Sequence, residues 1–250
     1  LVINDYEAVM PLPWRKKYFI KYIYPPFWLL ELGVFSLHKD VDITVFLKVL
    51  FQKFRFVELR MNTQNCFQEF NSFRVEKQMQ HLSLSESYTT LFSKYQKDRK
   101  KELRRAVKAD LVERWGDHPE KLINLFKENV GQRTKKIIEK DYKALHKLMT
   151  ICIEKKRGEV LSIYNAKNEL VASGFFLKYK KKVTVLVSAT DFKNRKNGAN
   201  TFLIDRAMYK FQNNFDDFNF GGSSIHSVAK FFKSFGATNE PYFLLRKRLL

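Results

Sequence analysis

Val160-Leu-Ser-Ile-Tyr164, Leu170-Val-Ala-Ser-Gly-Phe-Phe-Leu177 and Val183-Thr-Val-Leu-Val-Ser-Ala189 are three β-rich runs, with Asn165-Ala-Lys-Asn168 and Lys180-Lys-Lys182 between them. Connections this short read as hairpins, so the three runs form an antiparallel meander. A polar loop, Asp191 to Gly198, follows. It leads into a helix from Ala199 to Phe211, whose apolar stripe is Leu203, Ile204, Ala207, Met208 and Phe211. Phe215 to Phe220 is a strand ending in Gly221-Gly222-Ser223-Ser224. A helix, His226 to Phe235, and a strand, Tyr242 to Leu245, close the chain.

Upstream, Leu1 to Met10 reads as a strand stopped by Pro11-Leu-Pro13, and a second strand surrounds Phe19 to Tyr24. Ile43 to Phe54 reads as a helix, Phe56 to Met61 as an alternating strand and Phe73 to Leu84 as a further strand. Character changes at Ser85. From there to Lys108 the pattern is one helix capped by Ser85 or Ser87, followed by helices near Pro119 to Val130 and Glu139 to Lys155. Strand–helix–strand material thus occurs on both sides of Ser85. The expected organisation is two lobes, 1–84 and 85–250, without a sequence repeat.

The chain has 250 residues, 45% of them hydrophobic, which is enough to bury a sizeable core. Nine Gly and six Pro argue against disorder. Forty-six Lys and Arg against 26 acids leave a formal charge of +20, a field that attracts polyanions or serves solubility alone. Cys66 and Cys152, each with apolar neighbours, read as buried free thiols of a reducing cytosol. The five His residues are scattered with no metal spacing. No run approaches the about 20 apolar residues of a membrane span. The chain starts at Leu1 in a strand-like run, from which a missing N-terminal segment is expected.

Asn194-Arg195-Lys196-Asn197-Gly198-Ala199-Asn200, between the meander and its helix, resembles the pyrophosphate loop of the GNAT acyl-CoA N-acyltransferases through Arg195 and Gly198. It departs from that pattern at Asn200, where Gly or Ala is usual. Phe218-Asn-Phe-Gly-Gly-Ser223 followed by Phe231-Phe-Lys-Ser-Phe-Gly236 resembles the Fem family, which attaches amino acids from charged tRNA to cell-wall precursors in bacteria. The spacing from Lys233 to Phe235 is one residue shorter than that family's. Tyr95-Gln-Lys-Asp-Arg99 through Arg104-Arg-Ala-Val-Lys108, Pro11-Leu-Pro-Trp-Arg-Lys-Lys17 and Tyr24-Pro-Pro-Phe27 extend the resemblance along the chain.

The resemblance implies an α+β GNAT fold: a mixed, mostly antiparallel sheet flanked by helices, in two lobes with the first incomplete. It implies an N-acyltransferase working on an amine in the cytoplasm, with no tightly bound cofactor and no metal. Phe232 and Lys233 take the places beside the acyl-donor channel, with Lys233 stabilising charge. Ser188, with Thr190, faces the acyl group. Arg195, Asn197, Gly198, Ala199 and Asn200 surround the donor, and Gly221 and Gly222 allow close backbone approach. Asp191 and Asp205 are positional candidates for a general base. From spacing alone, Lys97, Lys101, Arg104 and Lys108 share one helical face, which with Arg105 suits a phosphate chain or is a solvated charged face. The donor is either aminoacyl-tRNA or acyl-CoA, and the acceptor a cell-wall precursor or a small amine. A non-catalytic reading stands beside these: Tyr18, Tyr22, Tyr24 and Trp28 next to Arg15, Lys16, Lys17 and Lys21 suit nucleic-acid stacking or peripheral contact with an anionic membrane.

Overall fold

The computed structural model describes residues 1–38, 41–134, 136–221 and 226–248. In chain order its elements are β1 (Val2–Ile3), β2 (Ala8–Val9), β3 (Trp14–Lys17), β4 (Ile20–Ile23), β5 (Phe35–Ser36), α1 (Ile43–Lys53), β6 (Phe56–Arg60) and β7 (Arg74–Ser83). There follow α2 (Tyr88–Ser93), α3 (Lys97–Lys108), β8 (Val112–Trp115), α4 (Pro119–Phe126), α5 (Glu139–Glu154), β9 (Gly158–Tyr164), β10 (Leu170–Tyr179) and β11 (Lys182–Thr190). The last elements are α6 (Ala199–Phe211), β12 (Asp217–Asn219), α7 (His226–Lys233) and β13 (Thr238–Lys247).

The chain divides into two compact units, residues 1–78 with 240–250 and residues 79–239. In the first unit β3, β4, β6 and β13 lie in that order, and β1, β2 and β5 form a separate three-stranded sheet. Residues 240–250 belong here, and not with residues 85–239, because β13 pairs with β6 through Leu244↔Arg60 to Lys247↔Val57. The core of this unit gathers Phe46, Leu47 and Leu50 of α1 on Ile23, Val57, Leu59 and Leu245. Leu1 to Met10 is not one strand: Asn4 and Tyr6 turn the backbone with φ of 49° and 60°, and β1 folds back on β2. Cys66 is exposed, contrary to expectation. Its neighbour Asn65 turns inward instead, accepting from the Val34 amide at 2.6 Å and donating to the Val34 carbonyl at 3.0 Å.

In the second unit the strand order is β7-β12-β11-β10-β9-β8, antiparallel except between β11 and β12. β10 is buried along most of its length because helices cover both faces. Phe175 lies towards α5, near Cys152, which leaves room for no side chain at Gly158. Phe176 faces the other way, with its ring 5.9 Å from Phe211 of α6. The predicted helix from Ser85 to Lys108 is broken into α2 and α3 after Ser93; the Ser87 side chain caps α2. Beyond α4 the helix widens into one π turn, Lys127–Gly131. No helix among the described residues is long and apolar enough to cross a membrane.

Candidate functional site

β11 and β12 run parallel, but their pairing covers only Lys182↔Asp217 to Thr184↔Asn219. β12 ends at Asn219, whereas β11 continues to Thr190. A bulge at Leu186 interrupts the β10–β11 register, where Phe175 pairs with Val187 and Phe176 with Val185. A bulge bends and twists its strand. The result is a cleft at the carboxyl ends of two diverging parallel strands, a usual location for ligands in such sheets. It holds a cavity of about 480 Å³ whose walls include Ser188 and Thr190 of β11, Asn200 and Ile204 of α6, and Phe231 and Phe232 of α7. Arg99 and Glu102 of α3 and Phe192 and Arg195 of the loop after β11 also line it.

That loop is ordered from both sides. Residues Phe192–Asn197 form a 3₁₀ helix, and the Asp191 carboxylate caps it, accepting from the Lys193 amide at 3.0 Å and from Asn194 Nδ2 at 2.6 Å. Asn129, buried in the π turn, accepts from the Phe192 amide at 2.7 Å and donates to the Leu125 carbonyl at 2.9 Å. π turns of this kind recur at functional sites. The Phe192 ring carries two guanidiniums, Arg195 at 3.5 Å and Arg133 at 4.3 Å. Such stacked guanidiniums keep their donors free for planar anion recognition. Gly198 has φ +83°, and a Cβ placed there would stand 2.2 Å from the Glu102 carbonyl oxygen. Only glycine fits a position that is both left-handed and this close to another helix.

Arg99 alone among the cations of α3 is held inside. Its Nη1 donates to Glu102 Oε2 at 2.7 Å and to Thr201 Oγ1 at 2.5 Å, and Nη2 donates to Glu102 Oε1 at 3.2 Å. The Thr201 hydroxyl in turn donates to Glu102. The guanidinium lies 4.8 Å from the Phe231 ring. Its Nε is buried without a hydrogen-bond partner among the described residues. The Arg99–Glu102 pair lies within α3, and its hydrogen bonds with the Thr201 hydroxyl tie α3 to the first turn of α6 beside the cavity.

No family model matches the sequence, and no curated protein matches it. Solved structures do match the fold. The crystal structure of FemX superposes with a TM-score of 0.65 at 10% identity, covering 97% of this chain and 85% of that one. The fold is Fem-like. L-PGS from Bacillus licheniformis matches at 0.58 with 10% identity, over 99% of this chain and 83% of that one. A GCN5-related glucosamine N-acetyltransferase region of a fungal multi-domain GH3 β-N-acetylglucosaminidase matches at 0.52 with 9% identity, over 96% of this chain and 31% of that one.

Within this Fem-like fold, Ser188, Arg195, Asn200 and Phe232 meet at one cavity, although they come from three elements and a loop. Asn197 and Ala199 serve the start of α6: Asn197 Oδ1 accepts from the Ala199 amide at 2.9 Å. Gly221 stands just past β12, where a Cβ would approach the Val185 carbonyl oxygen to 3.0 Å. Gly222 lies outside the described residues. Lys233 is exposed on the last turn of α7 and does not line the cavity. Lys97, Lys101, Arg104, Arg105 and Lys108 are exposed along α3, and none has an ion-pair partner among the described residues. Asp191 is occupied as the loop cap. Asp205 is a buried residue of α6, accepting from the hydroxyls of Tyr88 at 2.7 Å and Tyr95 at 3.1 Å. Burial raises its pKa despite those bonds and the adjacent Arg206. Burial, with Asp205 alongside, also raises the pKa of Tyr88 and Tyr95. None of the members of this network lines the cavity. Sequence reading gave no site role to Arg99, Glu102, Thr201, Phe192 or Phe231. The one local signal was Arg99 and Glu102, opposite charges three residues apart on a helix.

Proposed function

We propose that the protein is an N-acyltransferase that moves an acyl group from an aminoacyl ester or acyl thioester to a primary amine in the β11–β12 cleft. The supporting observation is the convergence of Ser188, Thr190, Arg195, Asn200, Phe231 and Phe232 on one cavity beside the start of α6. The similarity to FemX and to a glucosamine N-acetyltransferase region supports the same reaction class by analogy of fold. In this reading the amine nitrogen attacks the donor carbonyl carbon, the carbonyl oxygen takes up the negative charge, and the ester oxygen or thiolate leaves with the proton lost by the amine. Ser188 and Thr190 supply hydroxyls at the reacting end, and Phe231 and Phe232 wall it from water. Arg195 meets the donor phosphates with the first amides of α6, and Lys233 is an outer phosphate contact.

Aminoacyl-tRNA is the favoured donor because α3 presents five exposed cations that have no ion-pair partner among the described residues. Acyl-CoA is the second reading, resting on Arg195 and Gly198 in the loop. Calorimetric titration with tRNA and with acetyl-CoA, each at low and moderate salt, separates them. Binding of tRNA that weakens with salt is expected, and Arg104→Gln with Arg105→Gln should reduce the salt slope by about 2 if each residue meets one phosphate. Saturable, salt-tolerant acetyl-CoA binding would shift the donor to CoA. No binding of either, and no transfer to any amine tested, would sink the reading.

A further inference from the structure

The β3–β4 hairpin places aromatic side chains where turn chemistry disfavours them. The register Lys17↔Ile20 leaves Tyr18 and Phe19 as a two-residue turn, with φ of 47° and 63°. Positive φ at both central positions is the type I′ pattern, which selects Asn-Gly and similar pairs. For bulky residues this backbone is an outlier, and such outliers persist where function demands them. Tyr18 is 81% exposed and Phe19 91%, so neither ring repays the strain by packing in the fold.

Charge is arranged around the same tip. Lys16 and Lys21 stand directly opposite each other across the ribbon, a repulsive pairing unless an anion joins them. Each cation lies over a ring: Lys16 over Phe19 at 5.2 Å, Lys17 over Tyr18 at 5.2 Å, Lys21 over Trp14 at 5.3 Å and Arg15 over Tyr24 at 5.6 Å. No acidic residue occurs between Ala8 and Leu30. The ribbon is held by β6 only at Tyr22 and Ile23, so its turn end runs past that support.

We propose that this hairpin anchors the protein to an anionic bilayer, with Tyr18 and Phe19 inserted at the boundary between headgroups and acyl chains. Aromatic side chains favour that boundary, and lysines set just behind them reach lipid phosphates while their stems stay with the apolar layer. Single-stranded nucleic acid is the poorer match. It stacks on rings laid along a groove, whereas here the two most exposed rings crown a turn. The inference is independent of the acyl-transfer reading.

The test is sedimentation of the full chain with vesicles of phosphatidylglycerol and phosphatidylcholine in equal parts, and with vesicles of phosphatidylcholine alone. The wild type should bind the anionic vesicles and bind the neutral ones weakly. Tyr18→Asn with Phe19→Gly should lower anionic binding about tenfold or more. That variant installs the pair the turn prefers, so loss of folding does not confound it; a thermal melt checks this. Lys16→Gln with Lys21→Gln should also weaken anionic binding and narrow the preference over neutral vesicles. Equal binding by wild type and by Tyr18→Asn with Phe19→Gly would overturn the proposal. So would equal wild-type binding to both vesicle types, no binding to either, or hairpin-dependent binding to a single-stranded oligonucleotide without vesicle binding.

Discussion

Gly198 and the Tyr18–Phe19 turn solve the same backbone problem in opposite ways. Both need positive φ. At Gly198 the residue is the one the geometry demands, and the Glu102 carbonyl at 2.2 Å from a notional Cβ leaves no alternative. At Tyr18 and Phe19 the residues are among those the geometry least favours, and open solvent surrounds them. The first position is selected from inside the fold. The second finds no counterpart in the packing of the fold.

Substitutions should separate the two. The largest effect is expected from Gly198→Ala, which combines left-handed strain with a clash against α3 and should destabilise by about 3 kcal/mol in denaturant unfolding. A neutral result would mean that the α3–α6 junction gives way easily, and the contrast would fail. Arg99→Met should come next, at about 2 kcal/mol, because it leaves Glu102 half-buried without its guanidinium partner. Adding Glu102→Gln to that variant should recover part of the loss, read by the same unfolding curves. The smallest effect, and of opposite sign, belongs to Tyr18→Asn with Phe19→Gly, which should raise stability by up to about 1 kcal/mol. A fall in melting temperature would show that the rings do pack, and would remove the strain argument.

Much of the second unit was legible because its signals are local. The meander from Val160 to Ala189 has runs of β-forming residues and hairpin-length connections, and β9, β10 and β11 follow them closely. The stripe of Leu203, Ile204, Ala207, Met208 and Phe211 is buried along α6 as its spacing requires. Ser85 to Lys108 was harder. Its helical residues run on through Lys94 to Gln96, and the break depends on contacts made far along the chain, including the Gln96 amide donating to the Ser234 carbonyl at 2.9 Å. β3, a strand written Trp-Arg-Lys-Lys and exposed throughout, carries no alternating pattern to find.

The cavity divides the same way. Arg195, Asn200, Ser188 and Phe232 were visible because a loop motif, a strand end and an aromatic pair mark them in sequence. Arg99 was indistinguishable from its neighbours, being one cation among many in Lys97–Lys108. Which of those cations turns inward depends on where α6 lies, and the partners Thr201 and Phe231 are more than one hundred residues away. By itself, then, the sequence determined the meander and the order of elements from β9 to α7, and the excess of positive charge, because hydrophobic period, charge and turn residues act over a few positions; the likeness to a Fem-type scaffold came from short motifs. The tertiary structure alone decided that β11 and β12 part beyond Thr184, that Arg99 is the inward cation and that Lys233 is not, because each of these follows from packing between segments that no local pattern links.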